Sequence, residues 1–223
     1  MARASSLAKL NKGSIRQKEP SSFLLEKIRR RLVVGISGAS GVIYGIRALE
    51  VLKQLRYETH LVMTPAAKIT IAAETNYSPA LVEKLASRVH KFSDIAASIS
   101  SGSFQTNGMA IIPCSMHTLG ALASGAAENL LVRAADVTLK ERRRLVVVPR
   151  EAPLTLIHLE NMVKLTQAGA IIVPASPAFY HRPKSIDDLV DHLVGKVLDQ
   201  LGVEHNLFKR WEGMPDKNLD REK

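Results

Sequence analysis

The sequence is poor in residues that build disulfide-bonded or thiolate-metal proteins. Its 223 residues contain one cysteine, Cys114. A single cysteine excludes an internal disulfide and every metal site that needs several thiolates. The remaining His, Asp and Glu residues show no clustered ligand pattern, so we expect no metal. One cysteine is typical of a reducing compartment.

Long apolar runs and aromatic residues are also scarce. Aromatic residues make up 4% of the chain, which predicts an aliphatic core. Residues 95–127 carry no charge, but they are rich in Ser, Gly, Asn and Gln and lack about 20 consecutive apolar residues. We interpret them as buried protein interior, and we expect no membrane partner. No stretch near the amino terminus has the pattern of a signal peptide.

Positive charge is in excess, but it is concentrated at one end. The net charge is +10, and residues 1–30 hold eight Lys or Arg against two Asp or Glu. A basic stripe with interleaved aromatics, which nucleic-acid binding would need, is missing from the rest, so we expect no nucleic-acid partner. Residues 1–28 are expected to form a disordered or loosely ordered basic extension. Within it, a short helix is predicted over 22–30.

The extension bears on where the protein resides. We expect the cytoplasm, and a mitochondrial location would follow if residues 1–28 were a transit peptide, because they are Arg- and Ser-containing and poor in acidic residues. One folded domain is expected over residues 29–212, followed by a polar tail over 213–223.

Short β-branched apolar runs alternate with helical patterns throughout this domain. Strands are predicted at 31–37, 59–63, 109–113, 144–149 and 170–174. Helices are predicted between and after them, at 42–56, 65–75, 79–87, 115–132, 155–168 and 185–201. This alternation of uncharged strands with helices indicates an α/β fold, a single Rossmann-like domain with a parallel sheet covered by helices on both faces.

In such a sheet, ligands bind beyond the carboxyl ends of the strands. After the first strand, Gly35, Gly38 and Gly41 have the spacing G-x-x-G-x-x-G, which differs from the dinucleotide fingerprint and from a P-loop. The turn either forms an anion or cofactor site or needs small residues for packing. Ser37 and Ser40 add two hydroxyl groups to it, which favours the first interpretation.

Polar residues follow the other strands as well. Thr64 has the position of a helix cap, and Ser115 could either cap a helix or bind a ligand. Arg150 and Glu151 end an aliphatic strand, where they form either a surface ion pair or a charged mouth in which Glu151 handles protons. In the proline-rich loop 174–183, Tyr180 either stacks on a planar ligand or closes the edge of the core.

Taken in order, these segments resemble the UbiX-type flavin prenyltransferases. The resemblance runs nearly without gaps from residue 31 to Trp211. It includes GISGASGVIYG, AAETN, PCSMHTL, NLLVRAADVTLKERRRLVVVPREAP, HLENM, PAFYHRP and a final RW. The long block and the pair REAP and HLENM are the most specific parts.

The resemblance implies a fold, an assembly and a reaction. Members of this family have a flavodoxin-like architecture and assemble as dodecamers. They join the dimethylallyl group of dimethylallyl phosphate to N5 and C6 of reduced FMN. The product, prenylated FMN, is the cofactor of UbiD-type decarboxylases. We therefore expect FMN as cofactor and substrate, and a UbiD-type decarboxylase as the recipient of the product.

The resemblance also implies roles for individual residues. The FMN-binding set would comprise Gly38, Ala39, Ser40, Thr64, Ser115, Met116, His117, Thr118 and Arg133. Catalytic groups would be Ser40 and Glu74 near the flavin N5, with Glu151 assisting proton transfer. The allylic phosphate would be held by Lys140, Arg150, Tyr180 and Lys196, with Trp211 closing the pocket. Arg150 is open to being supplied across a subunit boundary.

One departure from the family pattern concerns the phosphate. Lys196 stands where the family usually has Arg, and Lys lacks the bidentate fork that fits phosphate. The choice between an allyl phosphate and an allyl pyrophosphate donor therefore stays open. Two other functions compete with prenyl transfer: FMN-dependent cysteine decarboxylation, which uses an essential His, and a non-catalytic flavin carrier. The PAFYHRP loop and the REAP–HLENM block favour prenyl transfer.

Overall fold

A computed structural model describes residues 30–213. Three predicted features lie wholly or mostly outside the described residues: the basic extension at 1–28, the helix over 22–30 and the tail from residue 214. Across residues 30–213, no helix combines the length and apolar character needed to cross a bilayer.

Six parallel strands form one sheet. They are β1 (Arg31–Ile36), β2 (Glu58–Met63), β3 (Arg88–His90), β4 (Gly108–Cys114), β5 (Arg144–Pro149) and β6 (Ile171–Ile172). Their spatial order is β3-β2-β1-β4-β5-β6. Without the short edge strand β3, this is the flavodoxin-like order, whose topological switch point lies between β1 and β4. All five predicted strands are confirmed, although β6 is shorter than the predicted run.

Within residues 30–213, seven α-helices connect and cover the strands. They are α1 (Val42–Gln54), α2 (Pro65–Glu74), α3 (Pro79–Glu83), α4 (Met116–Ser124), α5 (Leu130–Lys140), α6 (Leu156–Gln167) and α7 (Ile186–Leu201). The prediction of a single helix over 115–132 is wrong, because two helices, α4 and α5, occupy this stretch. Gly125 ends α4 in the left-handed conformation at φ 74°, and Asn129 begins α5 by accepting a hydrogen bond from the Val132 N–H.

Helices cover both faces of the sheet, as predicted. Leu32, Val34 and Ile36 pack with buried residues of α1 and α7, whereas Val33 packs on the opposite face with α4 and α5. This alternation follows from the two-residue period of a strand. Because both faces of the sheet are buried, its central strands β1, β4 and β5 are almost purely apolar, whereas β2 contains the buried polar residues Thr59 and His60.

The strand β3 was missed by sequence reasoning. It has three residues, and two of them are exposed, so no apolar run marks it. Its register is fixed by pairing with β2 and by a 2.8 Å hydrogen bond between His90 Nε2 and His60 Nδ1. Burial lowers the pKa of both imidazoles. The strand places the following segment, including Phe92, beside the switch point.

Helix α1 approaches β4 so closely that only glycine fits at position 45. A Cβ there would lie 2.3 Å from the Ile112 carbonyl oxygen. We predict that Gly45→Ala lowers the free energy of unfolding by about 1–3 kcal/mol through overpacking. The matched control is Gly120→Ala in α4, where the nearest atom would be 3.7 Å away and the helix should gain up to about 1 kcal/mol. Equal stabilities in urea denaturation would contradict this packing.

Candidate functional site

The carboxyl ends of β1 and β4 are joined by one buried serine. The Ser37 hydroxyl donates to the Pro113 carbonyl oxygen at 3.0 Å and accepts from the Ser115 N–H at 2.7 Å. Its own N–H also donates to Pro113 at 3.2 Å. Ser37 has no exposed surface. Of the two serines in the turn, Ser37 is therefore structural, and Ser40 is the one left partly exposed.

The turn after β1 lies directly against the start of α2. A Cβ on Gly38 would lie 2.4 Å from the Ala66 Cβ, so this close approach requires glycine. Gly41 has φ 90°, and its N–H donates to the Glu74 carboxylate at 2.8 Å. Glu74 thus reaches from the end of α2 to the beginning of α1. This contact brings the predicted pair, Ser40 and Glu74, to one place.

Three helices begin around this turn. Thr64 Oγ1 accepts from the Ala67 N–H at 3.0 Å and Ser115 Oγ from the Thr118 N–H at 3.3 Å, so both residues cap helices, as their positions predict. Asn129 caps α5 nearby. Helix starts carry partial positive charge and free N–H groups, which favour phosphate and other anions.

A cavity of about 410 Å³ lies between these helix starts. Its volume is in the range of small-molecule sites. Five residues of the expected FMN-binding set line it: Gly38, Thr64, Ser115, His117 and Thr118. The other lining residues were not predicted, and among them Phe92 and Asn129 are the ones that offer an aromatic ring and a side-chain amide. The scarcity of aromatics was a usable signal for Phe92, and the helix break at Gly125 was one for Asn129.

The other members of the expected FMN set lie around this cavity rather than in its lining. Ala39 is buried within the turn. Met116 packs partly against the core at the first position of α4. Arg133, one turn into α5, donates to the Ser100 carbonyl oxygen at 3.2 Å and pairs with Asp136 at 2.7 Å.

A second, smaller cavity adjoins the end of β5. It has a volume of about 300 Å³ and is lined by Arg150, Glu151 and the start of the following loop. Within residues 30–213, no ion pair joins Arg150 to Glu151, which removes the surface-ion-pair interpretation. The charge of Arg150 acts on Tyr44 in α1, opposing the rise that burial causes in the pKa of that phenol. Arg150 thus lies on the α1 side of the site.

A third group of residues surrounds Tyr180. Its ring meets Trp211 edge to face, with centroids 5.8 Å apart. Its hydroxyl lies 3.3 Å from His192 Nε2. Lys196 follows His192 by one turn of α7, and its charge contributes, after burial and the charge of His181, to lowering the pKa of His192. Tyr180 thus contacts Trp211 and His192, and Lys196 acts on the same His192 through its charge.

Lys140 lies away from the residues with which it was grouped. Helix α5 begins at the cavity and ends at Lys140, about 15 Å further on at 1.5 Å per residue. There Lys140 pairs with Glu141 at 2.5 Å, beside Gly102 in the segment that precedes β4. Within one protomer, Lys140 thus lies near the amino ends of the strands, whereas the cavity lies at their carboxyl ends.

Helix α6 exposes an unusually apolar surface. Only Leu165 of this helix is buried, whereas Leu156, Ile157 and Val163 are each more than half exposed. Leu154, just before the helix, is also exposed. A continuous exposed apolar surface of this kind is typical of a protein–protein interface.

The fold and the cavity define a class. A flavodoxin-ordered sheet with a glycine-rich turn and three helix starts around a cavity at its switch point is a mononucleotide-binding α/β protein. The comparisons with known proteins agree. Residues 21–198 match the Flavoprotein family, which covers most of the chain.

Named relatives are similar over nearly the whole chain. The flavin prenyltransferase UbiX of Thauera aromatica is 54% identical over 189 residues, which are 85% of this chain and 97% of that protein. The crystal structure of AnUbiX in complex with FMN and dimethylallyl pyrophosphate has a TM-score of 0.82 at 51% identity, covering 84% of this chain and all of that one. The chain belongs to the UbiX flavin prenyltransferase family.

Two further structures mark the limits of the likeness. A dodecameric FMN-dependent UbiX-like protein from Escherichia coli O157:H7 has a TM-score of 0.80 at 52% identity and covers 82% of this chain and all of that one. The peptidyl-cysteine decarboxylase EpiD has a TM-score of 0.55 at 17% identity, covering 77% of this chain and 97% of that one. Its likeness is one of fold alone, so the family evidence favours prenyl transfer over cysteine decarboxylation.

The Ser37 contacts yield a prediction for the cavity. Ser37→Ala leaves the partly buried Ser115 N–H without its acceptor and the Pro113 carbonyl oxygen without its hydroxyl donor, and we expect a loss of about 1–3 kcal/mol in the free energy of unfolding. FMN affinity should fall as well, because the Ser115 end of α4 loses its anchor. The control is Ser124→Ala, where an exposed hydroxyl is removed and stability should stay within about 0.5 kcal/mol. Denaturation and FMN fluorescence titration measure both effects, and unchanged values for Ser37→Ala would contradict the role given to this serine.

Proposed function

We propose that the chain is a flavin prenyltransferase that transfers the dimethylallyl group of dimethylallyl phosphate to N5 and C6 of reduced FMN. One observation carries the proposal. The cavity at the switch point is lined by Gly38 and Ser115. Three residues beyond Gly38, the Gly41 N–H binds Glu74, and at the end of β5 the Arg150 N–H donates to the Cys114 carbonyl oxygen, next to Ser115, at 3.1 Å. A bound flavin and an allylic phosphate would therefore meet at these strand ends. The product is prenylated FMN, and we propose a UbiD-type decarboxylase as its recipient.

The FMN would lie in the cavity of about 410 Å³. The starts of α2, α4 and α5 supply N–H groups for its phosphate, and the mostly apolar lining suits its ring system. Bound there, the reduced flavin supplies the nucleophilic atoms of the reaction. Ser40 and Glu74 are the proposed neighbours of N5, since the Gly41 N–H holds the Glu74 carboxylate beside the turn.

The allylic phosphate requires cations and hydrogen-bond donors around its leaving oxygens. Arg150, Tyr180 and Lys196 are the proposed set, with Glu151 exchanging a proton at the mouth. Among residues 30–213, Lys196 forms no ion pair, because Asp199 is occupied by Arg210 at 2.8 Å and by His205 at 3.2 Å. Its ammonium group is therefore left for a ligand. Trp211, edge-on to Tyr180, would exclude water from the reactive allyl group.

Lys140 completes this set only in an oligomer. Within its own chain, Lys140 lies near the amino ends of the strands, away from the cavity. The exposed apolar surface of α6 could bring a second copy of the chain into contact. We propose that a second copy of the chain supplies Lys140 to the phosphate site, in a homo-oligomer that we propose to be a dodecamer. This assignment extends to Lys140 the supply across a subunit boundary that the sequence left open for Arg150.

Prenyl transfer is tested by incubating the protein anaerobically with reduced FMN and an allyl donor, followed by mass spectrometry of the flavin. With dimethylallyl phosphate we expect the flavin mass to increase by one dimethylallyl group. The pyrophosphate is run in parallel, because Lys196 leaves the donor open. Glu151→Gln should slow the reaction by about 100-fold or more while FMN stays bound. Glu204→Gln, an exposed carboxylate away from the site, is the matched control and should leave the rate unchanged. An unaltered flavin mass with both donors would refute the function.

Supply of Lys140 by a second copy is tested by mixing two impaired variants. Lys140→Ala and Glu151→Gln are each produced alone, as impaired controls, and are also co-expressed in one cell with different tags. If Lys140 acts on a neighbouring subunit, random assembly restores about a quarter of wild-type turnover, because that share of the sites receives both native groups. No recovery in the doubly tagged oligomer would show that both groups act within one chain.

A further inference from the structure

His192 lies behind Tyr180 and is almost completely buried, at 5% exposure. Its Nδ1 accepts a hydrogen bond from the Ala178 N–H at 3.4 Å, and its Nε2 lies 3.3 Å from the Tyr180 hydroxyl. The His181 ring stacks on one face of the imidazole at 4.8 Å, and the Phe208 ring contacts it at 4.8 Å with a tilt of 46°. These two neighbouring rings restrict the position of the imidazole.

These contacts determine which nitrogen of His192 carries the proton. A backbone N–H only donates, so Nδ1 must offer its lone pair to Ala178 and carries no hydrogen. In the neutral ring the proton is then on Nε2, where it points at the Tyr180 oxygen. In the charged ring, Nδ1 would also carry a hydrogen, which would face the Ala178 N–H and break this hydrogen bond. Burial, together with the charges of His181 and Lys196, lowers the pKa of His192 and so favours the neutral form.

The tautomer of His192 has a consequence for Tyr180. A phenol has one proton to donate, and its oxygen accepts at the same time. Because Nε2–H occupies the accepting side of the Tyr180 oxygen, the phenolic proton is directed toward a ligand. Accepting one hydrogen bond also makes a hydroxyl group a stronger donor of another.

We propose that His192 is a positioning residue that fixes Tyr180 as a hydrogen-bond donor to the phosphate oxygens of the allyl substrate. The proposal rests on the proposed function and deepens it, since it assigns a direction to the Tyr180 hydroxyl. Lys196 lies one turn further along the same face of α7, so the hydroxyl and the ammonium group would contact the same phosphate. His192 itself would not contact the substrate.

The proposal is tested by a double-mutant cycle on His192 and Tyr180. Tyr180→Phe removes the donor, and His192→Phe removes the group that directs it while keeping a buried ring. Each change should lower kcat/KM for dimethylallyl phosphate by about 10-fold or more, the usual effect of losing a hydrogen bond to a charged group. The double variant should be no worse than Tyr180→Phe alone, since His192 acts only through that hydroxyl. Effects that multiply would overturn the proposal.

Substitution of His192 by an amide side chain distinguishes the effect of the hydrogen bond to Tyr180 from the effect of packing. The N–H₂ group of Gln can donate to the Tyr180 oxygen, so His192→Gln should retain several-fold more activity than His192→Phe. Equal losses in the two variants would contradict a donor role for Nε2. The matched control is His205→Phe, another buried histidine near Phe208, which bonds to Gly195 and Asp199 instead of Tyr180. Its effect should be the same in the wild type and in the Tyr180→Phe background.

Two further readouts keep this proposal separate from the proposed function. FMN affinity should be unchanged in all variants, because the flavin cavity is built by other loops. If the wild-type protein transfers no prenyl group, the proposed function fails, and the same cycle is then measured on the binding of inorganic phosphate by calorimetry. Coupled losses of phosphate affinity would support the His192–Tyr180 relation on its own, and independent losses would remove it.

Discussion

The site depends on one buried hydroxyl group, that of Ser37. It joins the ends of β1 and β4 by donating to Pro113 and accepting from Ser115. These two strands flank the point where the strand order reverses, and here parallel sheets open a crevice. With the strand ends fixed, the turn at Gly38 lies against α2 and the start of α4 faces the same space. The cavity for a flavin follows from this arrangement of backbone.

The other proposed site residues come from segments far apart in the sequence. Glu74 reaches the turn from the end of α2, whereas Tyr180 and Lys196 come from the last third of the chain. Lys140 lies at the opposite end of α5, and its proposed role requires that copies of the chain associate. The proposed oligomer would account both for the exposed apolar surface of α6 and for the placement of Lys140.

The sequence predicted most of the fold because buried parallel strands leave a strong signal. Uncharged β-branched runs marked five of the six strands, but β3, with three residues and little burial, left none. The helix predicted over 115–132 failed because apolar periodicity continued through Gly125, where the chain turns. The strand-end rule found Gly38 and Thr64. The hydrogen bonds of the buried Ser37 hydroxyl and the contact of His192 with Tyr180 depend on tertiary packing. A local sequence pattern does not predict such contacts.

The central claim is that one cavity holds the flavin while groups from two copies of the chain hold the departing phosphate. The most direct measurement is a structure of the assembled protein bound to FMN and dimethylallyl phosphate. We predict the flavin between Gly38, Thr64 and Ser115, and the phosphate in contact with Tyr180 and with Lys140 of a second copy. A flavin bound elsewhere, or a phosphate contacted by neither Tyr180 nor Lys140, would contradict the account.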